Sequence, residues 1–302
     1  MLHVRNNPTR SAIVMALCLV LLNVSCGPSA VFEPVAGFSD RTNREIERFL
    51  KKTATEKGRK IAVFDGDGTV IGQAPHYLAD ECLYRAALDN PGKKPDIVRR
   101  MRPLSNVSVE YVQLRVLFFE GDTVRSVEDL GDECFNRYYK DKIFAPMRDL
   151  IALLRKNGFE VWIVSASPEA MYRPFLSRAF GIPETNVIGV KSVVRGGRIT
   201  GTIVPPVPQD GGKMEAVETF IQESPLFAAG NSRGDREMIE SSRGIRMIIN
   251  PDEHVEKGET ESIAAYARRS GWLVERIPDV PPAGFPAVSS KKFGIRINKT
   301  NR

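Results

Sequence analysis

The 302-residue chain carries 43 basic and 37 acidic residues, a net charge of +6, with only three histidines and four cysteines. It has no long Lys/Arg run and no paired Cys/His spacing, which excludes the usual sequence signatures of nucleic-acid binding and of a zinc site. The mild positive surplus requires no partner larger than a phosphate-sized anion.

The first 25 residues have the pattern of a secretory signal. Two arginines precede an apolar run over residues 12–22, which is shorter than the ~20 residues needed to span a bilayer. Residues 23–27 resemble the end of a bacterial lipoprotein signal, although that pattern prefers an aliphatic residue where Asn23 stands. The resemblance predicts cleavage, lipid on Cys26 and an extracytoplasmic location in the periplasm or cell envelope. Plain secretion and an uncleaved anchor are the alternatives.

A tether and a helix are predicted next. Residues 26–39 are small and contain proline, so they are predicted to link the membrane to the fold. Thr42 and Glu45 have the spacing of a capping box, and apolar residues follow at helical spacing. The pattern predicts a helix from Thr42 to about Thr55.

The most informative stretch covers residues 61–69. Four apolar residues predict a buried parallel strand, and they are followed by Asp65-Gly66-Asp67-Gly68-Thr69. Two carboxylates so close together repel each other unless the chain turns or a cation lies between them. The arrangement suits a hard divalent ion, with Asp65 free to attack and Asp67 to move a proton. The alternative is a solvated loop after a core strand.

Residues 72–144 show helical periodicity without a strong strand pattern. An insertion of this size, just after the turn, is predicted to be a mostly helical cap that lies over the site as a lid. Alternatively, these helices simply pack on the sheet. Cys82 and Cys134 in this segment are candidates for a disulfide, but the sequence does not show that they meet.

Alternation of helix and strand resumes after the insertion. Helices are predicted over 147–156 and 259–269, and strands over 160–164, 186–194, 226–229 and 245–249, with an edge hairpin completed by 199–204. The pattern predicts an α/β fold, with a parallel sheet built from residues 40–71 and 145–275. Residues 276–302, rich in Pro, Ser and Lys, are predicted to be an irregular tail.

Polar residues follow several predicted strands or open helices. Ser165 follows a strand beside a helix start, and is a candidate phosphate ligand unless it and Ser167 only cap the helix. Lys213 opens a helix after two glycines and can neutralise a phosphoryl oxygen. Asn231 and Asp235 follow another strand and can project toward the same ion as Asp65.

These motifs occur in the order typical of the haloacid dehalogenase superfamily, and the resemblance covers residues 58 to 255. The chain looks most like the phosphoserine phosphatase branch, because the insertion lies between the first two motifs and Val164-Ser165-Ala166-Ser167-Pro168-Glu169 is similar to its second motif. The resemblance implies a Rossmann-like sheet flanked by helices, with a helical cap.

The resemblance also implies a Mg²⁺-dependent phosphomonoester hydrolase acting on a small phosphorylated metabolite. Asp65 would attack phosphorus to form an aspartyl-phosphate, and Asp67 would protonate the leaving alcohol and bind Mg²⁺ through its backbone carbonyl. The implied phosphate ligands are Ser165, Ala166, Lys213 and Thr69, and the implied metal ligands are Asp65, Asp67, Asn231 and Asp235. A phosphotransferase, and a non-catalytic surface lipoprotein that keeps the fold for binding, are the alternatives.

Two departures bear on metal and substrate. Asn231 stands where the family commonly has an aspartate, which lowers the negative charge of the metal site. Ala74 stands where phosphoserine phosphatases place a glutamate, which argues against phosphoserine itself. Five tyrosines of the insertion could instead cage a quaternary ammonium such as phosphocholine, or could belong to the core: Tyr77, Tyr84, Tyr111, Tyr138 and Tyr139.

Overall fold

The computed structural model describes residues 30–256 and 258–298, so the predicted signal peptide and the predicted lipidation site at Cys26 lie outside the described residues. Within this part of the chain, seven strands form one sheet in the order β4-β3-β2-β1-β5-β6-β7. Their bounds are β1 Ile61–Phe64, β2 Glu160–Pro168, β3 Val187–Arg195, β4 Arg198–Val204, β5 Phe227–Gly230, β6 Ile245–Ile249 and β7 Leu273–Glu275. All neighbours are parallel except β3 and β4. The predicted α/β class and the edge hairpin are confirmed.

Helices surround this sheet. Their bounds are α1 Asp40–Thr53, α2 Leu78–Asp89, α3 Pro95–Met101, α4 Val109–Leu117, α5 Val124–Cys134, α6 Ala145–Lys156, α7 Glu169–Phe180, α8 Gly211–Ala216, α9 Arg236–Glu240, α10 Ile263–Arg269 and α11 Val288–Phe293. Short helical turns lie at Phe135–Tyr139, Lys140–Lys142, Glu184–Asn186, Val217–Ile221 and Arg233–Asp235. Among the residues described, no helix is long and apolar enough to cross a membrane.

The central strand β1 fixes where the first motif lies. All four of its residues are buried, and it pairs in parallel with β2 on one side and β5 on the other. The amide of Asp65 donates to the carbonyl of Ala229 at 2.9 Å, which extends the ladder by one residue. The carboxyl ends of three adjacent strands therefore meet beside Asp65.

Two element boundaries differ from the prediction for identifiable reasons. Helix α1 begins at Asp40 because the hydroxyl of Ser39 accepts the amide of Thr42 at 3.3 Å, so the predicted capping box at Thr42 and Glu45 is wrong. Helix α10 begins at Ile263, behind a serine cap, instead of at residue 259. Strand β7 was not predicted, since three residues give too short a pattern.

The insertion of residues 72–144 packs on the core along much of its length. Helix α4 contacts β2 and β3, and α5 lies along α7. A disulfide joins Cys82 in α2 to Cys134 at the end of α5, with a Cα–Cα distance of 6.0 Å. The structure thus shows the packing on the core that had been the alternative to a lid, and the insertion also reaches the cavity described below.

The segment predicted to be an irregular tail is instead folded against the insertion. Residues 277–298, which we call the C-terminal strap, contain α11 and cross from the core to α2. The carboxylate of Glu81, fully buried in α2, accepts the amides of Val288 and Ser289 at 2.7 and 3.1 Å and the hydroxyl of Ser289 at 2.8 Å. This packing could not be predicted from the Pro-rich composition of the strap, because Glu81, the acid that anchors it, lies in α2.

A second buried acid ties the strap to the segment after the first motif. Asp279 Oδ2 accepts the amides of Gln73 and Ala74 at 2.8 and 2.9 Å, and its Oδ1 lies 2.6 Å from Lys142 Nζ. Gly72 must lack a side chain here, since a Cβ would lie 2.2 Å from Asp279 Oδ1. The strap therefore fixes both ends of the insertion.

Candidate active site

A cavity of about 240 Å³ opens at the carboxyl ends of β1, β2 and β5. Six of the residues predicted from the sequence line it: Asp65, Asp67, Ser165, Ala166, Lys213 and Asn231. Thr69 and Asp235 are placed behind this lining. The strand-end motifs, separated by up to 166 residues, are thus brought to one place.

Asp65 lies at the base of the cavity with both carboxylate oxygens engaged. Lys213 Nζ lies 2.5 Å from Oδ1, and the hydroxyl of Thr69 donates to Oδ2 at 2.9 Å. Burial, helped by the nearby Asp235 carboxylate, raises the pKa of Asp65 to about 7, while the Lys213 ammonium acts in the opposite direction. Thr69 is fully buried and its hydroxyl orients Asp65, while its role as a phosphate ligand stays a prediction.

Lys213 also contacts Asp235, whose carboxylate lies beneath the site. Lys213 Nζ is 2.5 Å from Asp235 Oδ1, and the two neighbouring carboxylates outweigh burial and raise the pKa of this lysine, which keeps it charged. Asp235 Oδ2 accepts the amides of Asn231 and Ser232 at 3.0 and 2.9 Å. Asp235 thus fastens the turn after β5 to Lys213.

A close backbone approach sets the position of Lys213. A Cβ on Gly212 would lie 2.0 Å from the carbonyl oxygen of Val207, so glycine is required for α8 to begin here. The consequence is that the lysine side chain enters the site from the first turn of α8.

Asp67 is held by two hydroxyl groups that the sequence analysis did not assign to it. Ser167 Oγ donates to Oδ2 at 2.8 Å, and the Tyr172 hydroxyl donates to Oδ1 at 2.9 Å. Burial raises the pKa of Asp67 to about 6, and the two hydroxyls oppose that rise. Ser167 was considered only as a helix cap, but α7 begins at Glu169 and Ser167 faces Asp67 instead.

Arg115 is a cavity residue for which the sequence offered no signal. Its Nε and Nη2 atoms donate to the Asp80 carboxylate at 2.8 and 2.9 Å, and Nη2 also lies 3.2 Å from the carbonyl oxygen of Asn106. Arg115 lines the cavity together with Gln73 and Tyr77. The hydrogen bonds that Arg115 makes to described residues use Nε and Nη2, and its guanidinium lies 5.2 Å from the centroid of the Tyr77 ring. The insertion therefore supplies one wall of the site.

The tyrosines of the insertion are not gathered into a cage around the cavity. Tyr77 lines the cavity, but Tyr84, Tyr111 and Tyr139 are fully buried in the core. Tyr138 packs edge-on against a phenylalanine of the C-terminal strap. The expectation that these aromatic residues belong to the core therefore holds for Tyr84, Tyr111 and Tyr139.

Oxygen ligands for a cation are present at the cavity. Asn231 packs against Gly68, where a Cβ would lie 2.0 Å from Asn231 Nδ2, and Asn231 lines the cavity. In residues 30–256 and 258–298, no group of three or more His, Cys, Asp or Glu is arranged to hold a metal ion. A cation bound here would therefore need the side-chain oxygen of Asn231 and the backbone carbonyl of Asp67 as ligands, in addition to the carboxylate of Asp65.

Comparisons with known proteins agree with this geometry. The family model for haloacid dehalogenase-like hydrolases matches residues 62–240. The chain is 28% identical to a phosphoserine phosphatase of Mycobacterium tuberculosis over 162 residues, covering 52% of this chain and 49% of that protein. It is 27% identical to a probable phosphatase of the same species over 222 residues, covering 67% and 72%. A putative hydrolase of Mycobacterium leprae is 28% identical and is half covered, so the chain spans about half the length of the first relatives that it matches.

Solved structures share the fold. A protein of unknown function from Bordetella pertussis superposes with a TM-score of 0.58 at 17% identity, covering 72% of this chain and 99% of that one. A functionally unknown protein from Anaerococcus prevotii gives 0.60 at 16% identity, covering 79% and 92%. Since the family model matches more than half of the chain, and its residues include all the strand-end motifs at the cavity, the chain belongs to the haloacid dehalogenase-like hydrolase family.

Proposed function

We propose that the protein is a phosphomonoester hydrolase that acts on a small phosphorylated metabolite through an aspartyl-phosphate on Asp65. The observation that carries the proposal is the contact between Lys213 and Asp65 in a cavity that Ser165 also lines. A cation beside a buried carboxylate suits the attack of that carboxylate on a phosphoryl group, because the anionic charge of both groups is balanced.

The residues divide the work as follows. A carboxylate oxygen of Asp65, oriented by Thr69, attacks phosphorus while Ser165, the main chain of Ala166 and Lys213 bind the phosphoryl oxygens. The bond to the leaving alkoxide breaks, and Asp67 gives that oxygen its proton. Asp67 then takes a proton from the water that hydrolyses the acyl-phosphate.

The donor set fits Mg²⁺ as the cofactor. Asp65, the backbone carbonyl of Asp67 and Asn231 would hold the ion, since hard divalent cations take oxygen ligands. Asp235 would act beneath them by positioning Lys213 and the turn, because it lies behind the cavity lining whereas Asp65 and Asn231 line the cavity. When bound, Mg²⁺ would offset the negative charge shared by nucleophile and phosphoryl group.

We also propose that the protein works outside the cytoplasm, carried by the predicted signal and lipid on Cys26. The disulfide between Cys82 and Cys134 supports this location, because disulfides persist in oxidising compartments.

Turnover of p-nitrophenyl phosphate by the chain without its first 25 residues tests the enzyme proposal. We expect hydrolysis with Mg²⁺, loss of activity on chelation and loss in Asp65→Asn. Activity retained in Asp65→Asn would overturn the nucleophile assignment. Less free phosphate than alcohol would indicate a phosphotransferase, and no turnover across a phosphoester panel would favour a binding protein.

A further inference from the structure

The hydrogen bonds around Tyr172 have a direction that chemistry fixes. The backbone amide of Ala79, in the first turn of α2, lies 3.1 Å from the Tyr172 hydroxyl and can only donate to it. The single proton of the phenol is therefore free to go to Asp67 Oδ1, which lies 2.9 Å away. A chain of two hydrogen bonds runs from the insertion through Tyr172 to Asp67.

Burial leaves the Tyr172 hydroxyl with protein groups as its partners, namely the Ala79 amide, Asp67 and the neighbouring Ser167 hydroxyl. Tyr172 and Ala79 are fully buried, and the tyrosine ring packs against Phe175 with centroids 5.1 Å apart. The amide of Ala79 has no partner inside α2, because the first amides of a helix lack one. Ser167 Oγ donates to the other oxygen of Asp67, so the plane of this carboxylate is fixed from two sides.

We infer that Tyr172 is a positioning residue that couples the placement of the inserted helices to the proton donor Asp67. The inference rests on the proposed function, in which Asp67 protonates the leaving alkoxide. The insertion contributes the Ala79 amide, that amide sets the direction of the phenolic proton, and the phenol holds Asp67 in line with the cavity. Tyr172 itself neither touches the substrate nor transfers the proton.

A purely structural role is the competing explanation, since the Tyr172 hydroxyl also accepts a hydrogen bond from a backbone amide in the first turn of α2. The two roles differ in how they depend on the leaving group. An alkoxide needs the proton from Asp67, whereas p-nitrophenolate leaves without it. Misplacing Asp67 therefore slows poor leaving groups selectively, while a loss of folded protein slows all substrates equally.

The test measures kcat/KM, which depends only on the steps up to departure of the alcohol and excludes the later hydrolysis of the aspartyl-phosphate. The substrates are a series of aryl and alkyl phosphates of rising leaving-group pKa, and the variants are Tyr172→Phe and Ser167→Ala. Tyr139→Phe is the matched control, because Tyr139 is also fully buried and its hydroxyl donates only to the carbonyl of His76 at 2.9 Å. We expect Tyr172→Phe to lose at least about tenfold more rate on the poorest leaving group than on p-nitrophenyl phosphate, a share of the usual contribution of general acid catalysis. Ser167→Ala should change in the same direction and Tyr139→Phe should not.

The ratio of rates on two substrates is independent of the amount of folded enzyme, so an unstable variant still gives an answer. Equal losses on all substrates in Tyr172→Phe, or the same selective loss in Tyr139→Phe, would overturn the positioning role. If the unmodified protein hydrolyses no phosphoester, the proposed function itself fails, which is a distinguishable result.

Discussion

Lys213 Nζ lies 2.5 Å from Oδ1 of Asp65, and the two residues are 5% and 4% exposed. The proposed nucleophile and the cation that would bind the phosphoryl group are thus in direct contact within the protein. This contact keeps a charged carboxylate tolerable in a buried position, since an unpaired buried charge costs several kcal/mol.

Replacing this lysine should cost both stability and activity. In Lys213→Met, Asp65 and Asp235 would face each other without a cation, so we expect a loss of about 3–5 kcal/mol in the free energy of unfolding. The value of kcat should fall by at least about 100-fold, because a charge that stabilises the transition state is gone. Urea unfolding and steady-state kinetics measure the two effects. Lys51→Met, which removes an exposed pair with Glu47, should stay within about 1 kcal/mol.

Arg115 should favour substrates whose leaving alcohol carries a hydrogen-bond acceptor. In the double variant Arg115→Gln/Asp80→Asn, neutral polar groups replace the buried ion pair, which avoids leaving one charge unpaired. We expect KM for esters whose alcohol carries a hydrogen-bond acceptor to rise about tenfold, the value of one charge-assisted hydrogen bond. Phenyl phosphate, whose ring has no acceptor, should be affected far less. Equal changes in KM for both substrates would argue against a contact with Arg115.

His76 should make folding sensitive to mild acid. Burial lowers the pKa of His76 below its ordinary value of 6.5, against the opposing charges of Glu81 and Asp80, and Nδ1 has no hydrogen-bond partner among the described residues. As the pH falls below 6.5, the histidine of the unfolded chain becomes protonated while the buried histidine of the folded chain stays neutral. His76 therefore makes its full contribution to stability above pH 6.5, and this contribution is lost as the pH falls from 6.5 toward the lower pKa of the folded state.

Chemical denaturation between about pH 7 and pH 5 checks this prediction. His76→Gln should lose less stability over that interval than the unmodified protein does. His254→Gln, at an exposed position, should follow the unmodified protein. Parallel curves for His76→Gln and the unmodified protein would show that His76 does not set the pH dependence.

Asp279 should support the cavity wall from a distance. In Asp279→Asn, buried Lys142 loses its counter-charge, so the free energy of unfolding should fall by about 3–5 kcal/mol. KM should also rise, because Asp279 holds the amide of Gln73, which lines the cavity. Glu253→Gln breaks only exposed pairs and should change neither quantity. An unchanged KM in folded Asp279→Asn would separate the strap from substrate binding.

The sequence was sufficient to predict those site residues that directly follow a strand, because the position of a strand end in the sheet can be inferred from the local pattern. Asp65, Ser165 and Asn231 could be brought together because the carboxyl ends of neighbouring parallel strands meet, and apolar runs identified those strands. Strand β6 was predicted with both of its boundaries, Ile245–Ile249.

The contacts that hold these site residues in place could not be predicted, because they join residues far apart in the sequence. Tyr172 lies 105 positions from Asp67, and Asp279 lies 206 positions from Gln73, so no local pattern contains either pair. Thr69 shows the same limit at short range: its position in the motif was clear, but only the turn at Gly68 decides that its hydroxyl faces Asp65.

The C-terminal strap has a consequence for which differences between related chains can affect the active site. Its residues follow every motif of the cavity in the sequence, yet they supply hydrogen-bond partners to Gln73, Ala74 and Glu81. A change confined to the strap would keep every predicted catalytic side chain and still remove the support of the cavity wall. An alignment of the motifs alone would therefore miss part of what builds this site.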